Sequence, residues 1–306
     1  MIPGSLGKGI AWMVLTVLVW APMFPTAKRA LPVVDAFALS SIRYLLGGAI
    51  FVVLVAAIEG RRALTFGDRI VPAIVLGLIG ITGFNSFVWV GLTYARPEHA
   101  AIIMAIQTPL TALLVWVLRS QRPANFTLAC IAVAIVGVLI VVTRGDPLAA
   151  IASLGKGDEL FGDILVFCGA LCWVTYTMGS GTFPGWTALR FTALTIIPGG
   201  LGLLAVNLIA LAAGVAVVPT ITAVASIAPQ IVYFAAGTVV LGVLAFNSSV
   251  KHLGPLNVML MLNVIPVSVF AIEAALGRDF APIELGGAAM VIGALVANNL
   301  YLRRRG

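Results

Sequence analysis

The sequence predicts an all-α integral membrane protein, with ten transmembrane helices arranged as two inverted five-helix repeats. Three observations support this prediction. Of the 306 residues, 61% are hydrophobic and only 9% are charged, whereas about 25% of the residues in a soluble domain are charged. The apolar residues form runs of about 20, which is the length that a helix needs to cross a bilayer. Features of the first half of the chain also recur in the second half.

Ten apolar runs are long enough to be spans, and most of the connections between them are short. The longest connection lies near the middle of the chain and contains a Gly-Asp-Pro turn at 145–147 and a charged cluster at 155–159. We therefore expect a first repeat over residues 1–145, an outer linker over residues 146–159 and a second repeat over residues 160–306. The predicted spans are 8–28, 34–58, 70–92, 97–118, 125–143, 160–181, 185–212, 227–250, 254–276 and 281–302.

Two apolar runs, residues 98–118 and 253–276, match each other because each has a proline in its middle, Pro109 in the first and Pro266 in the second. A proline removes a helix hydrogen bond and frees a carbonyl group, which must find a partner or water inside the membrane. We therefore expect the two prolines to bend matched spans around a central cavity. The other matched features are Trp20 with Trp173, 84–86 with 246–248, and 38–48 with 188–200.

Each predicted half contains an odd number of spans, so the second half enters the membrane in the opposite orientation to the first. Inverted repeats of this kind hold a substrate site at their interface, and they expose it alternately to the two sides. Eleven lysines and arginines lie on the side of both termini and six on the other side, so the positive-inside rule predicts cytoplasmic termini. The six are Lys28, Arg29, Arg96, Arg144, Lys156 and Arg278.

An ordered set of residues extends over nearly the whole chain. It comprises Trp20, 41–44, 107–109, Arg122, Gly137, Pro266, Glu273, 276–278, Gly286, Gly287 and Gly293. This set resembles the drug/metabolite transporter superfamily, in its ten-span branch built from two EamA-type repeats, and the whole pattern is similar to bacterial exporters of amino acids, particularly aromatic ones. The resemblance implies a carrier in the bacterial cytoplasmic (inner) membrane that exports small amphipathic metabolites by alternating access. Its partners would be the substrate and the lipid bilayer, it would need no cofactor, and a monomer is compatible with this activity.

The substrate cavity is expected between the halves, lined by the first, third, fourth, sixth, eighth and ninth spans. A mostly apolar wall with a few amides suits a zwitterionic amino acid with a large side chain. A sugar phosphate is excluded on this interpretation, since a phosphate requires several lysines or arginines and none is expected at the centre. The predicted wall residues are Trp20, Asn85, Trp89, Met104, Gln107, Trp173, Tyr176, Asn247, Met261 and Asn263, with Pro109 and Pro266 shaping the cavity.

The polar side chains at membrane depth have two interpretations, because interhelical hydrogen bonds and a cavity wall both satisfy them. Arg43 is the one arginine well inside a predicted span. We expect it to pair with a backbone carbonyl or to reach the outer interface of the membrane, whereas a role in binding a substrate carboxylate would require it to face the cavity.

Other classes of protein fit the sequence less well. An intramembrane enzyme would need a Ser–His pair, paired aspartates or a zinc motif, and the two histidines, His99 and His252, lie at span ends. A channel does not require inverted halves with central prolines. The net charge of +7 comes from connections and the C-terminus, which argues against a nucleic-acid partner. Export of other drugs or metabolites is the alternative to export of amino acids.

Overall fold

The computed structural model describes residues 3–119, 122–146, 148, 159–253, 258, 261, 262 and 264–303. Every regular element within these residues is a helix, which confirms the predicted all-α class. Six helical segments of this part of the chain are long and apolar enough to cross a membrane, namely Leu6–Ala30, Ala36–Ile58, Arg61–Tyr94, Glu159–Thr182, Ala188–Ala212 and Ala228–Leu253. Shorter apolar helices are Asn125–Val141, Val264–Ala275 and Pro282–Asn298. The total of ten spans stays a prediction.

The α-helices are numbered here in chain order. Those before the linker are α1 (Pro3–Trp20), α2 (Met23–Ala30), α3 (Ala36–Ile58), α4 (Ile70–Gly77), α5 (Phe84–Tyr94), α6 (Pro97–Ala105), α7 (Gln107–Arg119) and α8 (Asn125–Thr143). Those after it are α9 (Glu159–Gly179), α10 (Ala188–Ala212), α11 (Ile221–Ser226), α12 (Ala228–Val232), α13 (Val243–Leu253), α14 (Val264–Ala275) and α15 (Pro282–Arg303). Short 3-10 turns occur at Arg61–Leu64, Gly67–Arg69 and Ser180–Thr182. Of the predicted linker, only residues 146, 148 and 159 are described.

Prolines divide two of the predicted spans. A proline ring clashes with the carbonyl four residues before it and leaves that carbonyl without a helical partner. Pro109 lies four residues after Ala105, the last residue of α6, and the helix is interrupted at Ile106 before α7 begins. Pro25 lies four residues after Ala21, and α1 ends just before that residue. Both breaks therefore have the same local cause.

Two π-helical segments interrupt spans that the sequence predicts as regular helices. Leu78–Gly83 lies between α4 and α5, and Tyr233–Gly242 lies between α12 and α13. When 84–86 is aligned with 246–248, the two segments overlap over about three positions, and each precedes an asparagine of the matched triplets, Asn85 or Asn247. Segments of π-helix occur frequently at functional sites. The sequence pattern gave no sign of them, because apolar residues fit either type of helix.

Glycines allow helices of the two halves to approach backbone to backbone. A methyl group at Gly91 in α5 would lie 2.7 Å from the carbonyl oxygen of Gly162 in α9. A methyl group at Gly137 in α8 would likewise lie 2.7 Å from the carbonyl oxygen of Gly287 in α15. Small residues at such contacts are typical of helix packing in membranes.

Each of the main helix pairs joins one half to the other. Besides the α5–α9 and α8–α15 pairs, α1 packs against α13 and α3 packs against α10. The α5–α9 pair joins the predicted third and sixth spans, and the α1–α13 pair joins the first and eighth. The first span corresponds to the sixth in the other half, and the third corresponds to the eighth. The two pairs are therefore equivalent contacts, related by exchange of the halves.

Apolar side chains fill the bundle in two clusters and also cover its outside. Trp89 belongs to one cluster and Tyr176 to the other, while Trp20 packs against both. On the outside, Leu18 is 67% exposed and Ile58 is 69% exposed. Large apolar surfaces are rare on soluble monomers but are what a bilayer requires. The interior between the two clusters holds the cavity.

Candidate functional site

A central cavity lies where the two apolar clusters meet, with about 640 Å³ of space not filled by protein atoms, part of which is open to solvent. The wall is drawn from the six spans that the sequence analysis expects around the cavity and, in addition, from α3. The lining residues are Trp20, Met23, Phe24, Arg43, Tyr44, Phe84, Asn85, Ala101, Met104, Ala105, Gln107, Trp173, Thr238, Val243, Leu262, Ile265 and Pro266.

Aromatic rings form one side of the cavity and hold each other in place. The rings of Trp20 and Trp173 meet edge to face with centroids 5.6 Å apart, and Phe84 lies 5.0 Å from Trp173. Phe246 packs behind both tryptophans, at 5.3 Å from each. The indole nitrogen of Trp20 donates to the carbonyl oxygen of Thr238 at 3.1 Å, within the second π-helix. These contacts fix the rings as a preformed surface for an apolar or aromatic group.

Two amide side chains that the sequence analysis expected in the wall, those of Asn85 and Gln107, supply polar groups there. Asn85 accepts a hydrogen bond from the guanidinium of Arg43 and donates one to the carbonyl of Ile81 at 2.6 Å. Gln107 begins α7, immediately after the helix break, and its amide nitrogen lies 3.1 Å from the sulfur of Met104. The predicted wall residues that the structure brings to this cavity are Trp20, Asn85, Met104, Gln107, Trp173 and Pro266.

Other predicted site residues do not reach the wall. Trp89 is fully buried against Phe234, at 5.0 Å between ring centroids. Met261 packs against an apolar cluster, and Pro109 lies in α7 but is not one of the lining residues. Asn263 lies outside the described residues. A tryptophan at membrane depth can serve packing as well as binding, so depth alone does not place it on the cavity.

Tyr176 and Asn247 also lie away from the cavity, in a buried network between helices. The amide nitrogen of Asn247 donates to Thr192 at 2.7 Å and to the hydroxyl of Tyr176 at 3.3 Å. That hydroxyl lies 3.1 Å from the hydroxyl of Thr195. The network joins α9, α10 and α13, so of the two interpretations left open, interhelical hydrogen bonding applies to these side chains.

The expected position of Arg43 is wrong. Its side chain is 2% exposed and lies on the cavity wall, not at the membrane interface. It bonds the side chain of Asn85 instead of a backbone carbonyl, and its guanidinium carbon lies 3.7 Å from the centre of the Trp89 ring. The expectation that the wall carries no fixed charge is therefore also wrong.

The family is shown by comparison with known proteins. The model of the EamA-like transporter family matches residues 7–143 and matches again over residues 160–300. The chain belongs to this family. Two matches of one family model to one chain agree with the recurrence of features that the sequence itself displays.

Relatives of this EamA-like transporter cover nearly all of it. The uncharacterized transporter YrdR of Bacillus subtilis (strain 168) is 29% identical over 304 residues, which are 98% of this chain and 94% of the relative. The uncharacterized transporter YyaM of the same organism is 30% identical over 261 residues, 84% of this chain and 83% of the relative. A crystal structure with 18% identity covers 97% of this chain and 98% of its own, with a TM-score of 0.68, which shows the fold alone. Both relatives are named transporters, in agreement with the family model that matches this chain.

A second polar group, here called the linker-end cluster, joins the halves of the EamA-like transporter where the linker begins and ends. It comprises Arg96, His99, Arg144, Glu159, Asp163, Arg278 and Glu284. Nδ1 of His99 lies 3.1 Å from Oδ2 of Asp163, and both side chains are buried. The sequence analysis treats His99 only as a span-end residue, and it missed this contact because the two residues are far apart in the chain.

Sequence reasoning also missed part of the cavity wall. Phe84 precedes Asn85 in the matched triplet, so the repeated motif was a signal for it. Arg43 was noticed as the arginine inside a span, but nothing local showed which way it faces. Thr238 lies in the π-helix that the sequence did not reveal, and Tyr44 lies in α3, which was not expected at the wall.

Proposed function

We propose that this EamA-like transporter exports small amphipathic metabolites, above all amino acids including aromatic ones, across the bacterial inner membrane. The observation that supports the proposal is the cavity wall, where Trp20, Phe84 and Trp173 present rings and Asn85 and Gln107 present amides. An aromatic side chain can stack on such rings while its polar groups form hydrogen bonds. Other drugs or metabolites with the same two features are the alternative substrates.

The exchange of packing partners between the halves supports transport by alternating access. The α1–α13 and α5–α9 pairs, which exchange when the halves exchange, are the arrangement expected of two repeats related by a two-fold axis. Carriers with inverted repeats rock one half or one bundle against the other around a central site. The π-helical segments and the two prolines, Pro109 and Pro266, are features at which a helix can bend during such movement.

The orientation in this proposal places both termini in the cytoplasm. It rests on the excess of lysine and arginine on the side of the termini, eleven against six. The linker would then lie outside the cytoplasm. Export follows if the substrate is bound from the cytoplasmic side and released on the side of the linker.

Substitution of Trp173 tests the proposed substrate class. Its ring contributes a stacking surface, so Trp173→Ala should weaken transport of phenylalanine and tryptophan more than transport of alanine and threonine. Loss of one aromatic contact corresponds to about 0.5–1.5 kcal/mol, so we expect a decrease of up to about tenfold in apparent affinity for the aromatic substrates. The measurement is counterflow of labelled amino acids in proteoliposomes containing the purified protein. Saturation with counterflow also distinguishes a carrier from a channel.

Two further variants control the experiment. Trp173→Phe keeps a ring and should restore part of the preference for aromatic substrates. Trp116 is 37% exposed in α7 and lies away from the cavity, so Trp116→Ala should not change selectivity. Equal losses for all four amino acids in Trp173→Ala, at normal expression, would contradict the assignment of this ring to the site. Absence of counterflow for every amino acid would contradict the substrate class.

A further inference from the structure

Arg43 is a buried cation for which the described residues provide no anionic partner. Its side chain is 2% exposed, and it lies in α3, a helix long enough to span the membrane. Its guanidinium bonds the neutral amide of Asn85 and lies over the rings of Trp89 and Tyr44, at 3.7 Å and 4.8 Å from their centres. Its Nε atom is buried without a hydrogen-bond partner. This is an incomplete environment for a positive charge.

The acidic residue nearest to Arg43 in sequence and the two buried acidic residues of the described chain are engaged elsewhere. Asp35 caps the start of α3 and accepts hydrogen bonds from the amides of Phe37 and Ala38, at 2.9 Å each. Asp163 and Glu284 belong to the linker-end cluster. A charge buried without a counter-ion is costly, and an ionisable residue at membrane depth is commonly the counter-ion of a ligand. The missing partner is therefore best supplied by a molecule in the cavity, which Arg43 lines.

The guanidinium is also held in a defined orientation. Asn85 is fixed by its own hydrogen bond to the carbonyl of Ile81 at 2.6 Å, and it accepts from Nη2 of Arg43. The ring of Trp89, which is fully buried, supports one face of the guanidinium. A guanidinium has five N–H donors in a rigid fork, so most of them are not used by Asn85. A preorganised fork of this kind suits a planar carboxylate.

We propose that Arg43 binds the carboxylate of the transported molecule and thereby restricts transport to compounds that combine one carboxylate with an apolar or aromatic body. This inference rests on the proposed function, because it takes the central cavity as the transport site. The aromatic rings of Trp20 and Trp173 receive the body, and Arg43 on the same wall receives the anion. A cationic amphiphile without a carboxylate is rejected by like charge. A phosphate ester is bound poorly, since one arginine alone does not satisfy its oxygens and charge.

Pairs of acids and their carboxamides test this assignment with nearly unchanged size and shape. The ligands are phenylalanine and phenylalaninamide, and 3-phenylpropionate and 3-phenylpropionamide. Binding to the purified protein is measured by quenching of tryptophan fluorescence, because Trp20 and Trp173 line the cavity. Hydrogen bonds to a charged group predict that the wild-type protein binds each acid on the order of 10- to 100-fold more tightly than its amide.

Two variants remove the anion site in different ways. Arg43→Gln removes the charge, and it should abolish the preference for acids while leaving binding of the amides. Asn85→Asp keeps the shape of the wall and places a carboxylate against Nη2 of Arg43, so it should abolish the same preference by supplying an internal counter-ion. Asn125→Asp adds an equal charge at the exposed start of α8 and should keep the preference. Gel filtration and thermal melting confirm folding, and if Arg43→Gln does not fold, Asn85→Asp decides.

The outcomes separate this assignment from the proposed substrate class. A preference for acids that is lost in the Arg43 and Asn85 variants and kept in Asn125→Asp supports the assignment. Wild-type protein that binds neither acid better than its amide overturns it, and so does a preference that persists in Arg43→Gln. If 3-phenylpropionate shows the Arg43-dependent preference while phenylalanine neither binds nor is transported, the carboxylate site stands and the amino-acid substrate is wrong.

Discussion

At the scale of single residues, the absence of a side chain at Gly80 is what allows Tyr176 to reach its partners. A methyl group at Gly80 would overlap the Cβ and ring atoms of Tyr176. The hydroxyl of the same tyrosine meets Thr195 and Asn247, as described above. The glycine faces the base of the side chain, not its flexible end, so the tyrosine cannot move aside without leaving this network.

Gly80→Ala should therefore destabilise the protein. Overpacking in a closely packed interior costs about 1–3 kcal/mol, and displacement of Tyr176 would add the loss of its buried hydrogen bonds. We expect a lower melting temperature in detergent and weaker expression. Gly293→Ala is the matched control, because Gly293 is also helical and has nothing within 4 Å of an added methyl group. A melting temperature of Gly80→Ala equal to that of the wild type would show that the helices adjust at this contact.

At the scale of helices, the linker-end cluster ties the start of α15 to the start of α6. Arg96 donates to Glu284 at 3.2 Å and to Glu159 at 2.9 Å. Glu284 is 3% exposed and also accepts a hydrogen bond from the backbone amide of Ala281 at 2.9 Å, which caps α15. One carboxylate thus holds a helix end and neutralises a neighbouring arginine from the other half.

Removal of this carboxylate should be costly, since breaking a buried ion pair by deleting one partner destabilises by about 3–5 kcal/mol. We expect Glu284→Ala to lower the melting temperature most, and Glu284→Gln to lower it less because the amide oxygen can still cap α15. Asp68→Asn is the control, since the Asp68 side chain is 90% exposed and its pair with Arg69 spans 3.7 Å, a type of pair that contributes about 1 kcal/mol at most. Glu284 variants as stable as the control would place the cluster at the surface, not in the interior.

At the scale of the whole molecule, the helices pair across the two halves at the contacts described above, so the halves are interlocked instead of side by side. Three predicted spans lie between the connection after α3 and the start of the linker, so we expect these two connections on opposite sides of the membrane. Leu148 follows Arg144 by four residues in the chain and is 80% exposed, and Asp68 is exposed in the connection after α3.

Cysteine labelling in intact cells should distinguish these two ends. In a protein lacking Cys130, Cys168 and Cys172, an impermeant reagent applied from outside should label Leu148→Cys and should not label Asp68→Cys. Lysed cells, in which both positions become accessible, provide the control for reactivity. The reverse pattern would invert the predicted orientation, and labelling of both positions in intact cells would contradict the predicted number of crossings between them.

The all-α membrane class, the recurrence of features in two halves and the helix break at Pro109 could be predicted from the sequence. These follow from local properties, since apolar runs of bilayer length and a proline inside a helix act on their own segment. Trp20 and Trp173 were also predicted at the cavity, and both line it.

Only the tertiary structure decided which polar and aromatic side chains face the cavity. Helices that are apolar on every side carry no amphipathic stripe, so the pattern does not reveal their rotation. Arg43 and Tyr176 illustrate this: the arginine expected at the membrane interface lines the cavity, and the tyrosine expected in the cavity bonds Thr195 and Asn247 between helices. Their directions depend on partners distant in the chain, which become neighbours only when the helices pack.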